Sequence, residues 1–393
     1  MLIKCLGPVA RLSFGAATAA TALVSTQARA EFGVQLPTKQ FDDRSLDLAS
    51  DAGFSFIRQG FYWNTTEVKP GVYDWSFYDT VVDKLRSRGM HAYFTVYGGN
   101  NLYDGGGLPT GGASQKAFLR WLAAAAEHFK GRGVVWEIWN EPNVPRFWGG
   151  RPDAVKFAEF SARACKSIRD VDSGAEVIGG ALATRNQATF LRPLAATGCF
   201  SRIAIHPYRG SAPGTFLGDL PKLRKAYPGV DFVLGEWGYP SGGPRSVTRD
   251  VQSVYAAQMM AVGLVSGSKA TVWYSLMDRD ANAQDRESNF GLVDHAYRPK
   301  AGYAEISDFL HSVKGWSVAG TCSGVGPGAH AYLLRNGNAK FAVLAWSDGP
   351  PRPLRLSLAS PKGAAAVSIN ATVKPVIKPV EAGAVTACAA WGN

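Results

Sequence analysis

From Phe32 onward the chain alternates between two hydrophobic periods. Short runs rich in β-branched and aromatic residues predict strands at 32–36, 54–58, 91–97, 134–141, 176–180, 202–206, 232–236 and 271–275. Between them, apolar positions recur three and four apart, as in Phe77, Val81, Val82, Leu85 and again in Phe118, Leu119, Leu122, Ala126, the spacing of one buried helical face. Gly89 and Gly131 follow these segments where a left-handed helix cap is expected. Eight strands alternating with helices are the signature of an α/β fold closed into a (β/α)8 TIM barrel.

A doubly wound open sheet shares that alternation, but its Gly-x-Gly-x-x-Gly turn is missing after the first strand. The Gly-rich stretch 105–112 lacks a Lys-Ser/Thr ending and reads as a rim loop, not a phosphate cradle. After a helix predicted over 299–313 the texture changes to short alternating runs, with Asn336-Gly337 between 331–335 and 341–346 as a hairpin signal. These patterns divide the chain into a catalytic barrel over 31–314 and a small C-terminal β-sandwich domain over 315–393, the latter with no evident chemistry of its own.

Residues 1–30 read as a signal peptide: Lys4 and Arg11, an apolar run of small residues, then Ala28-Arg29-Ala30 as the cleavage pattern. The expected product is an exported protein, periplasmic or secreted, with no integral membrane segment in the mature chain. Loss of Lys4, Arg11 and Arg29 and of no acid lowers the formal charge from +11 to +8. The basic residues are scattered and not interleaved with aromatics, which disfavours nucleic acid as a partner. With Cys5 removed, four cysteines remain for an oxidising compartment. Pairing Cys165 with Cys199 and Cys322 with Cys388 keeps each bridge within one predicted region, although four cysteines allow three connectivities. No Cys-x-x-Cys or His-x-His spacing occurs, and neither a metal nor another cofactor is expected.

Two strings carry the chemistry. Trp136-Glu137-Ile138-Trp139-Asn140-Glu141-Pro142-Asn143 ends the fourth predicted strand, and Phe232-Val233-Leu234-Gly235-Glu236-Trp237-Gly238-Tyr239 ends the seventh. Active sites of such barrels lie at the C-terminal ends of the strands, so both glutamates should face the mouth. Pro142 is expected to stop its strand and leave Glu141 at the rim. Taken singly, Glu141 could be a rim ion-pair partner and Glu236 a buried acid satisfied by an arginine. As a pair they match the acid/base and nucleophile of a retaining glycosidase, which need carboxyl groups about 5 to 5.5 Å apart.

Asn140-Glu141-Pro142 and Gly235-Glu236-Trp237 resemble the signatures of the clan A (β/α)8 retaining glycoside hydrolases. With Phe147-Trp148, Gly291-Leu292-Val293-Asp294 and Tyr297-Arg298-Pro299-Lys300, the chain is most similar to glycoside hydrolase family 39, including its exopolysaccharide-associated members. The resemblance covers roughly residues 32–313. It implies double displacement on a polysaccharide, expected to be a bacterial exopolysaccharide, with Glu236 as nucleophile and Glu141 as acid/base.

By the same resemblance Arg58, His206, Tyr208 and Trp273 occupy site positions, and Asn140 would bind the sugar 2-hydroxyl. The expected pKa pattern has Arg58 and Tyr208 stabilising ionised Glu236, while Glu141 is held protonated. Arg58 also has a structural alternative as partner of Glu137, and His206 as a satisfied core histidine. Trp63, Trp148 and Trp237, with Tyr97, Tyr103, Phe147 and Tyr239, fall in predicted rim loops and are candidate sugar platforms. Asn100 is a further candidate substrate contact. It lies in Tyr97-Gly98-Gly99-Asn100-Asn101, where the cellulase-like branch of the clan carries a histidine, so that branch's substrate contacts do not transfer. The rival readings are a non-hydrolytic polysaccharide-binding or assembly protein and a transglycosylase using the same carboxylates. A monomer is expected.

Overall fold

A computed structural model of the protein describes residues 30–390, apart from 201, 338, 339, 362 and 382–384. The predicted signal peptide, but for Ala30, lies outside the described residues.

Eight parallel strands form a closed barrel: β1 (Glu31–Gln35), β2 (Phe56–Tyr62), β3 (His91–Tyr97), β4 (Val135–Ile138), β5 (Glu176–Ala183), β6 (Arg202–His206), β7 (Asp231–Trp237) and β8 (Ala270–Trp273). β1 pairs with both β2 and β8, which closes the ring and leaves no free edge. The principal helices are α1 (Asp43–Asp51), α2 (Ser76–Arg86), α3 (Gly112–His128), α4 (Ala154–Val171), α5 (Gln187–Ala196), α6 (Leu220–Ala226), α7 (Arg249–Ser266) and α8 (Ala301–Ser312).

Local chemistry sets the helix ends. The side chains of Asp42, Asp153 and Thr248 accept first-turn N–H groups of α1, α4 and α7. Gly89, at φ +69°, takes the left-handed turn after α2 that a Cβ would disfavour. On α2 the buried face is Tyr78, Val81, Val82 and Leu85. Phe77, expected in that face, is exposed and meets Phe41 edge-on, while the Tyr78 hydroxyl reaches in to donate to the Gly60 carbonyl.

Two packing layers follow from strand alternation. Phe56, Tyr93, Val135, Ile178, Ala204, Val233 and Val272 fill the barrel interior, and residues of opposite parity pack outward against the helices. Above this apolar floor the interior turns polar, with Arg58, Thr95 and Glu137 all buried.

The C-terminal region has a four-stranded antiparallel sheet, ordered β9 (Trp316–Thr321), β10 (Ala329–Asn336), β11 (Phe341–Ser347), β14 (Val376–Val380). A three-stranded sheet is ordered β13 (Gly363–Ala371), β12 (Arg352–Ser360), β15 (Ala387–Ala390). Leu333, Val343, Leu356, Leu358 and Ile369 pack between the sheets. Leu334, Leu344 and Trp346, on the opposite face of the first sheet, join the barrel's own apolar core. Gln258 of α7 donates to the carbonyls of Ser347 and Val373, fastening the sandwich to the barrel. The disulfides are Cys165–Cys199, between α4 and the segment after α5, and Cys322–Cys388, which joins the two sheets. No helix among the described residues is long and apolar enough to cross a membrane.

Candidate active site

The strands deliver Glu141 and Glu236 to the mouth through breaks in their own alternation. In β7, Leu234 pairs with Thr271 and Trp237 with Trp273, so three steps on β7 span two on β8. The extra residue is a bulge. It lets Leu234 and Trp237 both pack outward while Gly235 faces the interior and Glu236 lines the cleft. β4 stops at Ile138, three residues earlier than the pattern predicts. Trp139 and Glu141 then adopt positive φ, +71° and +45°, a conformation uncommon for side-chain-bearing residues. Trp139 is thereby kept in the outer layer, and Asn140 and Glu141 both reach the cleft. Pro142 therefore does not end the strand; the chain has already turned.

This turn is anchored on β5. The Glu141 N–H donates to the carbonyl of Ala181, itself in a bulge with φ +60°. The Asn143 amide donates to the carbonyls of Ala183 and Arg185 and accepts from the Ala183 N–H.

One oxygen of Glu141, one of Glu236 and a ring nitrogen of His206 all lie within 4.8 Å of one another. Both carboxylates are largely covered, with side chains 14% and 13% exposed. Arg58 holds Glu236 from below, donating to its Oε2 at 2.9 Å, and also donates to Gln35 Oε1 and Asn140 Oδ1. Its Nε and second guanidinium nitrogen go to Glu137 at 2.9 and 2.5 Å. Glu137 additionally accepts from Tyr93 and Thr95, each at 2.8 Å. The two roles foreseen for Arg58 thus coexist: one guanidinium bridges a structural carboxylate and a cleft carboxylate. Burial disfavours its charge, yet Glu137 and Glu236 outweigh that and raise its pKa.

The Tyr208 hydroxyl donates to Glu236 Oε1 at 3.0 Å. Burial first, then the Glu236 charge, pushes this phenol well above its usual range and keeps it a donor. His206 Nδ1 lies 3.0 Å from Glu141 Oε1 and 4.0 Å from Glu236 Oε1. Burial raises the Glu141 carboxyl, but the hydrogen bond and charge of His206, with Arg146 and Arg58, outweigh it and hold Glu141 below the usual carboxylate range. The partner expected to keep Glu141 protonated was an apolar ring; its nearest partner is a histidine, which acts in the opposite direction.

These groups line a cleft of roughly 470 Å³ whose walls include Tyr62, Tyr97, Arg146, Phe147, Tyr274 and Phe290. Of the residues expected as substrate contacts, Arg58, Asn140 and Tyr208 line it directly, and His206 is buried behind Glu141. Five others do not line it, and each has a packing reason. Trp273 is buried on the outer side of the barrel, its indole N–H donating to the Phe290 carbonyl, while the next residue, Tyr274, faces the cleft. Trp237 is its strand-paired neighbour in the same outer layer. Trp148 is buried edge-on against Trp139 and Phe157. Trp63 is buried, stacks on Tyr103 and donates to Glu67. Asn100 is spent on the carbonyls of Trp63 and Glu67. Tyr103 also donates to Glu67, so this buried acid organises a loop beside the cleft. Tyr274, Arg146, Arg286 and Glu287 escaped the sequence reading; the only signal was their place just after a strand or beside a motif.

No family model and no curated protein matches the sequence. Solved structures do match. A family 39 glycoside hydrolase from the gut symbiont Bacteroides cellulosilyticus WH2 superposes with a TM-score of 0.72 at 19% identity, over 90% of this chain and 82% of that one. A family 39 β-xylosidase from Caulobacter crescentus gives 0.60 at 21% identity, over 84% and 82%. A family 30 endoxylanase from Clostridium papyrosolvens C71 gives 0.61 at 13% identity, over 88% and 94%. Closed parallel barrel and antiparallel C-terminal sheets together, this chain has the fold of the family 39 glycoside hydrolases and their clan A relatives.

Proposed function

We propose that the protein is a retaining glycoside hydrolase that cleaves O-glycosidic bonds of a polysaccharide, a bacterial exopolysaccharide, through a glycosyl-enzyme. The observation that carries this reading is the approach of Glu141 and Glu236 to within 4.8 Å, each with a different partner set. That separation supports direct attack by one carboxylate, being shorter than the spacing of about 6.5 to 9.5 Å usual for an inverting pair.

Glu236, held by Arg58 and Tyr208, is the nucleophile and attacks the anomeric carbon. Glu141 gives its proton to the departing glycosidic oxygen as that bond breaks. In the second step Glu141 takes a proton from water, whose oxygen displaces Glu236 and restores the free enzyme. In the open site burial pushes the Glu141 carboxyl up and the His206 hydrogen bond pulls it below its usual range; the sugar that covers the cleft adds to the first effect. Displacing water there leaves the charge of Glu236 less screened and favours the neutral acid. Asn140, held by Arg58, faces the sugar from beside the acid.

The two disulfides and the sequence of residues 1–30 support export, and the working protein is taken as a monomer. The test is paired. Glu236→Gln should abolish release of reducing ends from a panel of bacterial and plant polysaccharides. Glu141→Ala should lose most activity and regain part of it on activated aryl glycosides with azide, giving a glycosyl azide of retained configuration. Full activity of E236Q overturns the assignment.

A further inference from the structure

The cleft wall holds two arginines laid over phenylalanine rings. Arg146 lies 4.3 Å over Phe147, and Arg286 lies 4.8 Å over Phe290. Their charge balance differs. Arg286 has Glu287 at 3.1 Å, which itself accepts from Tyr274. Arg58 is shared between Glu137 and Glu236. Arg146 is exposed, and its one contact of this kind among the described residues is the ring beneath it. It lines the cleft together with Glu141 and Tyr274. Among the described residues no ion pair joins Arg146 to a carboxylate, whereas Arg58 and Arg286 each have one.

Stacking engages the face of a guanidinium and leaves its in-plane N–H donors free, in a fixed orientation. Those donors match the paired oxygens of a carboxylate or a sulfate ester. Arg146 sits on the short turn Pro145–Trp148, directly after the loop that presents Glu141. A proton donor faces the glycosidic oxygen, so groups beyond it meet the sugar that departs.

We infer that the substrate carries an anionic group, a carboxylate or a sulfate ester, on the leaving-group side of the scissile bond, and that Arg146 is the residue that reads it. The inference rests on the glycosidase reading for its direction, since Glu141 defines the leaving-group side. Phe147 is then a platform that pre-orients the guanidinium as well as a wall for the sugar.

The test measures binding apart from turnover. Full-length E236Q protein is run by affinity electrophoresis in gels containing alginate, polygalacturonate, hyaluronan or chondroitin sulfate. Parallel gels contain the same polymers after carboxyl reduction, and for the last also after desulfation, which separates the two anion types. At least one anionic polymer should retard the protein, and removal of its anion should weaken binding about ten-fold or more, the scale of one charge-assisted pair. Arg146→Gln, added to E236Q, should erase that preference. Arg146→Lys, which keeps the charge and loses the fork, should fall between. An unchanged thermal unfolding curve for the exposed Arg146 variants separates lost recognition from lost folding. No retardation by any anionic polymer, or a preference that survives R146Q, overturns the inference. Turnover by the native protein is scored separately with neutral xylan and β-glucan. Cleavage there without anion preference sinks this inference and leaves the glycosidase, whereas Arg146-dependent binding with no turnover of any polymer sinks the glycosidase and leaves an anion-reading cleft.

Discussion

His206 Nδ1 stands 3.0 Å from Glu141 and 4.0 Å from Glu236, so a single buried imidazole touches one cleft carboxylate and nears the other. Its hydrogen bond helps hold the Glu141 carboxyl below the ordinary carboxylate range against the opposing push of burial. Bond cleavage needs Glu141 protonated, and kcat/KM reports ionisations of the free enzyme. A depressed pKa means the protonated form is lost early as pH rises, which puts the alkaline limb of the profile on the acid side. His206→Gln removes the imidazole that lowers the Glu141 pKa, so that limb should move to higher pH. The check is kcat/KM from pH 3 to 9 for both proteins; a limb that stays in place or moves down shows that His206 does not set it.

Arg58 is wholly buried between Glu137 and Glu236. Replacing it with Met strands two carboxylates in a covered site. Loss of one partner from a buried ion pair costs about 3 to 5 kcal/mol, so R58M should unfold at markedly lower denaturant. Adding Glu137→Gln neutralises the deeper carboxylate and should recover part of that stability without restoring activity, since Glu236 still lacks its counter-charge. Denaturant unfolding of R58M, E137Q and the double variant measures the coupling; additive losses would mean that the two side chains do not act as a pair.

The sandwich presses on the loop that carries Tyr208. A Cβ on Gly214 would sit 2.2 Å from Asp348 Oδ1 and 2.6 Å from His330 Nε2, and those two side chains are themselves paired at 2.8 Å. Gly214 lies in the short helix Pro213–Gly218, a few residues after Tyr208. Gly214→Ala should therefore destabilise by about 1 to 3 kcal/mol, as overpacking does, and should also lower kcat by disturbing the Tyr208 hydrogen bond to Glu236. Asp348→Ala in the same chain removes the closer contact and unties His330 from its partner, so the ring can give way, and it should recover part of the loss. Unfolding and kcat measured on G214A and G214A/D348A decide it, and an inert G214A would show that the loop is indifferent to the sandwich.

The barrel was legible because eight short β-branched or aromatic runs alternate with helical patterns, and the two glutamates because each closes a distinctive string. The phase of the strands near the mouth was not. Trp237 and Trp273 look like rim tryptophans in the sequence, yet they are strand-paired on the outer layer. One inserted residue reverses the facing of everything after it, and nothing in Val233-Leu234-Gly235-Glu236 marks the bulge beyond its glycine. The positive φ of Trp139 and Glu141 was equally hidden, since neither residue type favours it. Trp63 and Asn100 were misplaced for another reason: the buried Glu67 that gathers Trp63, Tyr103 and the Gly71 N–H is an ordinary-looking acid in the sequence.

Adjacent residues Trp273 and Tyr274 turn this distinction into a measurement. Trp273 is fully buried with its indole N–H on the Phe290 carbonyl, whereas Tyr274 lines the cleft and its hydroxyl donates to Glu287 at 3.1 Å. Burial and then the charges of Glu236 and Glu287 raise the Tyr274 pKa, so it remains a neutral donor throughout the working range. Trp273→Phe deletes core volume and takes from the Phe290 carbonyl the shorter of its two hydrogen bonds, leaving the one from the Ser275 N–H, which should cost about 1 to 3 kcal/mol of stability and leave KM within a few-fold of native. Tyr274→Phe keeps the ring and removes one hydrogen bond from the cleft wall, so its cost should fall on KM, with unfolding nearly unchanged. Were Trp273 the sugar platform that its position in the sequence suggests, the pattern would invert: W273F would raise KM and Y274F would not. Unfolding curves and Michaelis parameters for the two variants separate these outcomes.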